Sequence, residues 1–205
     1  MGRTLLLAIL VAACASISLA QSTDDYKKWE FYGGYSHNRV DTGSGSSLIS
    51  DREGFNGFDT AVTGNITRYV GLKVDFAGHF KSTTIPVSTT QINVDSSIYN
   101  FLGGVQIKDN SNEGTFKPFA HALVGVANGR ASVDFNNIAC IAISPSPCSP
   151  FTESETGFAG AFGGGIDIRA SDRISIRAIQ IDYNPTRLFD STQHNFRIGG
   201  GIVFH

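Results

Sequence analysis

The fold class of this chain is decided by one stretch, Val70-Gly71-Leu72-Lys73-Val74-Asp75-Phe76-Ala77-Gly78-His79-Phe80-Lys81. Its even positions are apolar or glycine, whereas its odd positions include two lysines, an aspartate and a histidine. A β-strand directs alternate side chains to opposite faces, so a period of two separates these sets. A helix would scatter the charges among the apolar side chains around its circumference. The stretch therefore predicts a strand with one apolar face and one charged face.

Similar alternation recurs on both sides of this stretch. It predicts further strands over residues 29–36, 58–67, 99–107, 116–126, 158–169, 173–183 and 196–204. In the strand over 116–126 the contrast is weaker, and we expect Ala120, Ala122, Val124 and Val126 to share a face opposite Phe119, His121 and Gly125. In the strand over 173–183 the phase slips at Ala178 and Ile179, which indicates a β-bulge. The total is eight strands.

The links between these strands alternate in length. Short links are predicted at 68–69, 109–114 and 170–172, and long polar links at 38–54, 82–97, 129–156 and 184–194. In an up-and-down arrangement all the long links lie at one end, as in membrane barrels with short periplasmic turns and long external loops. The predicted fold is all-β: an eight-stranded antiparallel up-and-down transmembrane β-barrel.

Composition restricts the class of protein. The 205 residues suit one domain. Lys and Arg number 16 against 18 Asp and Glu, a net charge of −2, which disfavours a nucleic-acid partner. After residue 20 no apolar run approaches the 18 or so residues of a membrane helix, so membrane insertion requires strands. Glycine, 23 of 205 residues, exceeds the average share of about 7% and fits a narrow interior.

The N-terminus has the pattern of an export signal. Arg3 precedes the apolar run Thr4 to Ala13, and Ser18-Leu19-Ala20 forms a small-x-small cleavage site. We expect residues 1–20 to be a signal peptide and 21–205 to be the barrel domain. The alternative is lipoprotein processing, because Val11-Ala12-Ala13-Cys14 resembles a lipoprotein box that would lipidate Cys14.

Cys140 and Cys148 then remain in the exported chain. They lie in a segment that contains Pro145 and Pro147, which favour an irregular loop. In an exported protein such a pair predicts a disulfide. A zinc site would need four nitrogen or sulfur ligands, and the neighbouring sequence does not complete such a set.

The two strand faces admit two opposite assignments, because a soluble ligand-binding barrel would turn its apolar face inward. Three features favour lipid outside. The apolar faces run for about nine to twelve residues, enough for a tilted strand to cross a bilayer. Aromatic side chains near strand ends suit the interfacial girdles, namely Trp29, Tyr35, Tyr69, Tyr99, Phe116, Tyr183 and Phe204. The opposite faces hold charges of both signs that can pair inside a barrel: Glu30, Asp59, Lys73, Asp75, Asp167, Arg169, Arg177 and Arg197.

The last strand carries a family resemblance. Phe196, Ile198, Ile202 and Phe204 alternate towards the C-terminus in a pattern that resembles the assembly signal of bacterial outer-membrane barrels, although His205 follows the final Phe. With residues 29–36, 116–119 and 174–177, this strand is similar to the OmpA-like and opacity-like eight-stranded barrel family, over nearly all of 27–205. The resemblance implies an outer-membrane location, a lipid surround and insertion by the barrel-assembly machinery through the C-terminal strand.

Candidates for chemistry are few. Ser36, His37 and His194 lie at the predicted outer rim, with Glu30 or Glu53 to orient a histidine, but their spacing matches no catalytic motif. We therefore expect no enzymatic activity, no cofactor and no metal. The expected role is structural, in envelope maintenance or in binding a surface ligand through the external loops, with little or no pore activity. The alternatives are a secreted or periplasmic ligand-binding barrel and a lipid-modifying outer-membrane enzyme.

Overall fold

The structure is a computed structural model that describes residues 26–41, 52–87, 90–111, 113–136, 151–188 and 191–205. Eight strands account for nearly all of these residues. They are β1 (Trp29–Asp41), β2 (Arg52–Asn65), β3 (Val70–Val87), β4 (Thr90–Lys108), β5 (Phe116–Asn136), β6 (Phe151–Arg169), β7 (Ile174–Leu188) and β8 (Ser191–Phe204).

The strands form a closed barrel in which every strand pairs antiparallel with its sequence neighbours. Closure is made by β8 on β1, from the pair Phe31 and Phe204 to the pair Arg39 and Phe196. A closed sheet leaves no unpaired edge within the bilayer, where an exposed peptide group would lack a hydrogen-bond partner. The predicted fold class is confirmed. Within the described part of the chain, no helix has the length and apolar character to cross a bilayer.

The facing of the side chains follows the alternation in the sequence. On β3, Leu72 and Val74 are about half exposed, whereas Lys73 and Asp75 between them are buried in the barrel. On β5, Ala120, Ala122, Val124 and Val126 point outward, opposite the buried Phe119 and His121, as predicted. An outward apolar face is stable only against lipid, so the alternative of a soluble ligand-binding barrel is wrong.

The predicted bulge on β7 is present. Register shifts between Arg177 and Gln180 against β8, and between Ile166 and Asp167 against β6. Arg177 and Gln180 are three positions apart, so a regular strand would place them on opposite faces. The extra residue of the bulge turns both side chains into the barrel, where each is almost fully buried.

The strands on one side of the barrel are longer than the sequence predicts. β3, β4, β5 and β6 have 18, 19, 21 and 19 residues, although about 9–11 suffice to cross a bilayer. Residues expected in the loop over 82–97 instead continue the β3–β4 hairpin up to the pair Val87 and Thr90. The polar segments over 38–54, 129–156 and 184–194 likewise contribute strand residues at both ends. Polar character was mistaken for loop structure, because a ladder of backbone hydrogen bonds continues whatever the polarity of its faces.

The side chains on the outer surface change from apolar to polar at the external edge of the apolar belt. On β3 the change falls between Phe80 and Ser82, and on the paired β4 between Tyr99 and Ser97. Above this level hydrogen bonds join polar side chains across strands: Ser82 Oγ donates to Asp95 Oδ1 over 2.5 Å and Thr84 Oγ1 to Asn93 Oδ1 over 2.9 Å. The four long strands therefore project as a sheet beyond the apolar belt.

The opposite end of the barrel has the short connections predicted for the periplasmic side. They span 66–69, 109–115 and 170–173. Gly114 in the second has φ of 81°, a left-handed conformation that glycine adopts without steric cost. The predicted signal peptide over residues 1–20, the alternative at Cys14 and the Cys140–Cys148 disulfide lie outside the described residues.

Candidate functional site: the barrel interior

Charged side chains fill the middle and the periplasmic half of the barrel. Five acids and five bases are buried among the described residues: Glu30, Asp59, Asp75, Asp167 and Asp182, with Lys73, Lys108, Lys117, Arg177 and Arg197. Isolated buried ions cost several kcal/mol each, so charges in a barrel of this width require partners. The equal numbers allow every charge to have one.

Arg197 of β8 is the centre of one network. Its Nη1 and Nη2 donate to the two carboxylate oxygens of Asp75 over 2.9 and 3.4 Å, and its Nε donates to Asp182 Oδ2 over 2.9 Å. Asp59 Oδ2 lies 3.6 Å from Nη1. Three strands, β2 and β3 across the barrel and the neighbouring β7, thus present carboxylates to one guanidinium.

Arg177 of β7 holds a second network. Its Nε and Nη2 bind Asp167 over 2.8 and 3.2 Å, and its Nη1 donates to Gln180 Oε1 over 2.8 Å. The guanidinium carbon lies 4.2 Å from the ring centre of Tyr32 and 4.0 Å from that of Phe119. A planar cation between two aromatic rings is attracted by both ring faces.

Lys108 links this network to Glu30. Its Nζ lies 2.6 Å from Glu30 Oε1 and 3.1 Å from Asp167 Oδ2. The sequence reasoning missed Lys108 because the predicted strand stopped one residue earlier. Lys108 lies two positions after Gln106 and therefore shares its inward face on β4. Gln106 also donates to Glu30, over 3.3 Å.

Lys73 and His121 connect the wall strands around Asp182. Lys73 Nζ lies 3.7 Å from Asp75 Oδ2 and 3.3 Å from His121 Nδ1. His121 Nε2 lies 2.9 Å from Asp182 Oδ1. Asp182 was also missed, although the predicted phase slip at Ala178 and Ile179 already places it on the inward face of β7.

Seven of the eight charged residues singled out from the sequence lie in these networks, and Arg169 lies elsewhere. Its side chain is 30% exposed at the periplasmic rim and pairs with Asp172 of the adjoining turn. The reason is its position at the last residue of β6, where the strand leaves the barrel wall.

The external end of the interior combines buried apolar clusters with buried amide side chains, among them Asn38, Asn184 and Asn195. Val40, Phe55 and Ile98 form one buried cluster there, and Leu102, Leu123 and Leu188 belong to a second. These side chains cap the charged layers below them.

Glycine allows β4 and β5 to approach closely at one inward position. A Cβ added to Gly104 would overlap the carbonyl oxygen of Ala122 on β5, whereas at the outward Gly103 the nearest atom would be 3.9 Å away. The glycine at position 104 therefore permits the close packing of these paired strands.

The candidate catalytic residues do not converge. Ser36 is fully buried and its Oγ lies 2.9 Å from His79 Nε2 inside the barrel. His37 faces the other way, with Nδ1 2.8 Å from Asn56 Oδ1. Glu53 pairs with Lys81 over 2.8 Å, and His194 contacts Tyr183. The described residues also hold no cluster of three His, Cys, Asp or Glu suited to a metal.

The C-terminal strand presents its alternating apolar side chains outward. Phe196, Ile198, Ile202 and Phe204 are 38 to 50% exposed on the barrel surface. They lie on one face of β8, beside β1 and β7.

Two groups at the periplasmic end have shifted pKa values. The hydrogen bonds from Arg68, over 2.9 and 3.2 Å, hold the pKa of Asp109 well below its usual range. Burial is the main cause that lowers the pKa of His205 to about 4; Glu30 opposes this shift, and the nearby Lys108 and Lys27 contribute to it. His205 is therefore neutral at pH 7.

Two solved structures illustrate the likeness of this barrel to known ones. Ail, the attachment invasion locus protein of Yersinia pestis, in complex with the heparin analogue sucrose octasulfate, aligns with a TM-score of 0.57 at 18% identity, covering 86% of this chain and 97% of Ail. Neisserial surface protein A aligns with a TM-score of 0.54 at 12% identity, covering 88% and 99%. At such identities the likeness concerns the fold. The search of curated proteins found no match.

The family model described as outer membrane protein beta-barrel domain matches residues 5–204. The match spans nearly the whole chain and agrees with the closed eight-stranded barrel and its apolar outer surface. The chain is therefore a protein of the bacterial outer membrane and belongs to the outer membrane protein beta-barrel domain family.

Proposed function

We propose that this protein is a structural and surface-exposed barrel of the outer membrane, with little or no pore activity and no enzymatic activity. The observation that carries the proposal is the filled interior. Ten charged side chains and two apolar clusters occupy the space that a channel would need.

The electrostatics of the interior support a sealed barrel. Arg197 makes three hydrogen bonds to Asp75 of β3 and Asp182 of β7, and Arg177 makes two to Asp167 of β6 and one to Gln180 of its own strand. An ion that entered would have to displace these bonds, and each hydrogen bond to a charged group is worth about 1.5–3 kcal/mol. The free-energy barrier to ion passage therefore includes the cost of breaking several such hydrogen bonds.

Planar-bilayer recording tests the seal. We expect the full chain to show no stable openings, and we expect the double variant Arg177→Ala and Arg197→Ala to show small, frequent openings if it folds. The variant Arg173→Ala changes an exposed arginine of a periplasmic turn and serves as the matched control. Large, steady conductance of the nanosiemens class from the unaltered protein would contradict the proposal.

The surface role rests on the sheet that projects beyond the membrane. Its outward face is rich in uncharged hydrogen-bonding side chains, including Ser82, Thr84, Asn93, Asn128 and Ser132. Asn128 Nδ2 donates to Thr156 Oγ1 over 2.8 Å, so these groups form cross-strand pairs. A rigid polar sheet suits contact with a neutral, hydroxyl-rich ligand at the cell surface.

Charge argues against a sulfated ligand of the kind in the Ail complex. Among the residues at the external end whose side-chain burial the structure describes, four are basic and four are acidic: Arg39, Lys81, Arg130 and Arg187, with Glu53, Asp95, Glu153 and Glu155. We expect the full chain in detergent to leave a heparin column at low salt. Retention that needs high salt to reverse would contradict the proposed neutral ligand.

Assembly is proposed to depend on β8. Its outward apolar residues match the pattern by which the barrel-assembly machinery is expected to select C-terminal strands, and lipid covers the same face after insertion. Replacing Phe204 by Ser should lower the amount of heat-modifiable barrel in membranes, whereas Phe116→Ser, at a similarly exposed girdle position, should lower it less. Equal losses would remove any special role for the C-terminal Phe.

A further inference from the structure

The periplasmic mouth contains a recess that borders the charged network at Glu30 and Lys108. The recess is open to solvent, and the space enclosed within it admits about one water molecule. The side chains that line it include four basic ones, Lys27, Lys108, Lys117 and Arg169, against two carboxylates. The side chains of the recess thus carry an excess of two positive charges.

The carboxylates are already engaged by other partners. Glu30 lies 2.6 Å from Lys108 Nζ, and Asp172 pairs with Arg169. The ammonium group of Lys117 donates to the carbonyl oxygens of Asp109, over 3.1 Å, and of Ser111. These two bonds leave one of its three protons, and neither bond neutralises its charge.

His205 adds a polar group on the opposite side of the recess. Its Nε2 lies 2.9 Å from Ser175 Oγ, and within the described structure its buried Nδ1 has no hydrogen-bond partner. The nearest carboxylate oxygen, Glu30 Oε1, is 3.9 Å from Nδ1, too far for a hydrogen bond. The recess therefore combines uncompensated ammonium charge with unused hydrogen-bonding capacity.

We propose that this recess binds the anionic oxygen group of a water-soluble periplasmic molecule, a phosphate or a carboxylate, through Lys27, Lys117 and His205. Charge-assisted hydrogen bonds from ammonium groups to such oxygens are among the strongest in proteins. The recess opens within the mouth of the barrel. The neighbouring side chains that face lipid, Phe116, Ile174 and Phe204, lie on the outer wall, so a lipid headgroup approaches a different surface.

The experiment uses the full chain folded in detergent micelles and follows the ring signals of His205 by NMR, assigned by their loss in His205→Gln. Inorganic phosphate or acetate is added, with sodium chloride at equal ionic strength as the reference. We expect a saturable shift and a rise in the pKa of His205, because a bound anion favours the imidazolium.

Matched variants locate the binding. Lys27→Gln should weaken phosphate binding by about three- to tenfold, since the ammonium charge is lost while the Gln amide still offers a neutral hydrogen-bond donor. Arg173→Gln, which removes an exposed charge from the same end outside the recess lining, should change it less than about twofold. Heat-modifiable gel mobility verifies that both variants are folded.

Three outcomes would overturn the proposal. One is a response to phosphate and acetate no larger than the response to chloride. Another is equal weakening by Lys27→Gln and Arg173→Gln, which would indicate only general electrostatic attraction. The third is a response confined to nanodiscs that contain phosphatidylglycerol, which would place the anion on the lipid.

Discussion

Removing the guanidinium of Arg197 should be the most damaging single change in the barrel interior. Arg197 is 1% exposed and binds Asp75 and Asp182 through four contacts of 2.8 to 3.4 Å, with Asp59 3.6 Å away. In Arg197→Met three carboxylates would face one another without their shared cation. Breaking a buried ion pair by removing one partner costs about 3–5 kcal/mol, and a shared cation places the expected loss at the upper part of that range.

Urea unfolding in lipid vesicles measures this loss, with the fluorescence of Trp29, the single tryptophan of the chain, as the signal. The double variant Arg197→Met with Asp75→Asn tests the electrostatic cause, because it removes a cation and an anion together. We expect the double variant to be more stable than the sum of the two single losses predicts, by at least about 1.5 kcal/mol.

Arg173→Met, an exposed arginine in a periplasmic turn, is the control and should change stability by less than about 0.5 kcal/mol. A loss below about 1 kcal/mol for Arg197→Met would refute the reasoning, since it would mean that the carboxylates are solvated or protonated at little cost. Strict additivity in the double variant would refute the pairing of Arg197 with Asp75.

Three further predictions follow from particular positions. Val74→Lys, on the lipid face, should destabilise the barrel by about 2–4 kcal/mol in vesicles, whereas Thr84→Lys on the same face of β3 beyond the belt should cost about 0–1 kcal/mol; similar losses at both would contradict the assigned membrane boundary. Gly104→Ala should hinder folding because its Cβ would overlap the Ala122 carbonyl, and the adjacent Gly103→Ala should fold normally, as gel mobility can show; equal folding yields would count against the close packing of β4 on β5 at this position. Because the pKa of His205 falls from 6.5 to about 4 on folding, the unfolded chain binds the additional proton between these values, so stability should decline as pH is lowered from about 6.5 to 4. His205→Gln should flatten that decline in urea midpoints, and an unchanged pH profile would show that His205 does not contribute.

The external sheet shows where sequence reasoning stopped short. The segment over 82–97 is mostly polar and contains Pro86, which favours a loop interpretation, although Ile92 and Val94 alternate with Asn93 and Asp95. In the structure these residues continue ladders that begin within the membrane. The local alternation was too short to outweigh the polar composition, and pairing with the neighbouring strand extends it.

The site shows the same division. The odd–even alternation on β3 predicted that the charged side chains of Lys73 and Asp75 face the interior. It could not indicate that Asp75 would contact Arg197, because the two residues are 122 positions apart and meet only across the barrel. Nor could it identify Arg177 as the partner of Asp167, because that contact depends on the register between β6 and β7.

By itself the sequence determined the strand count, the antiparallel up-and-down order and which face of each strand meets lipid. These properties depend on a period of two and on short connections, both of which are local. Only the tertiary structure decided which charges pair, where the interior is apolar and how the mouth concentrates lysines around His205. Those depend on the register and closure of the barrel, which bring together side chains from strands remote in sequence.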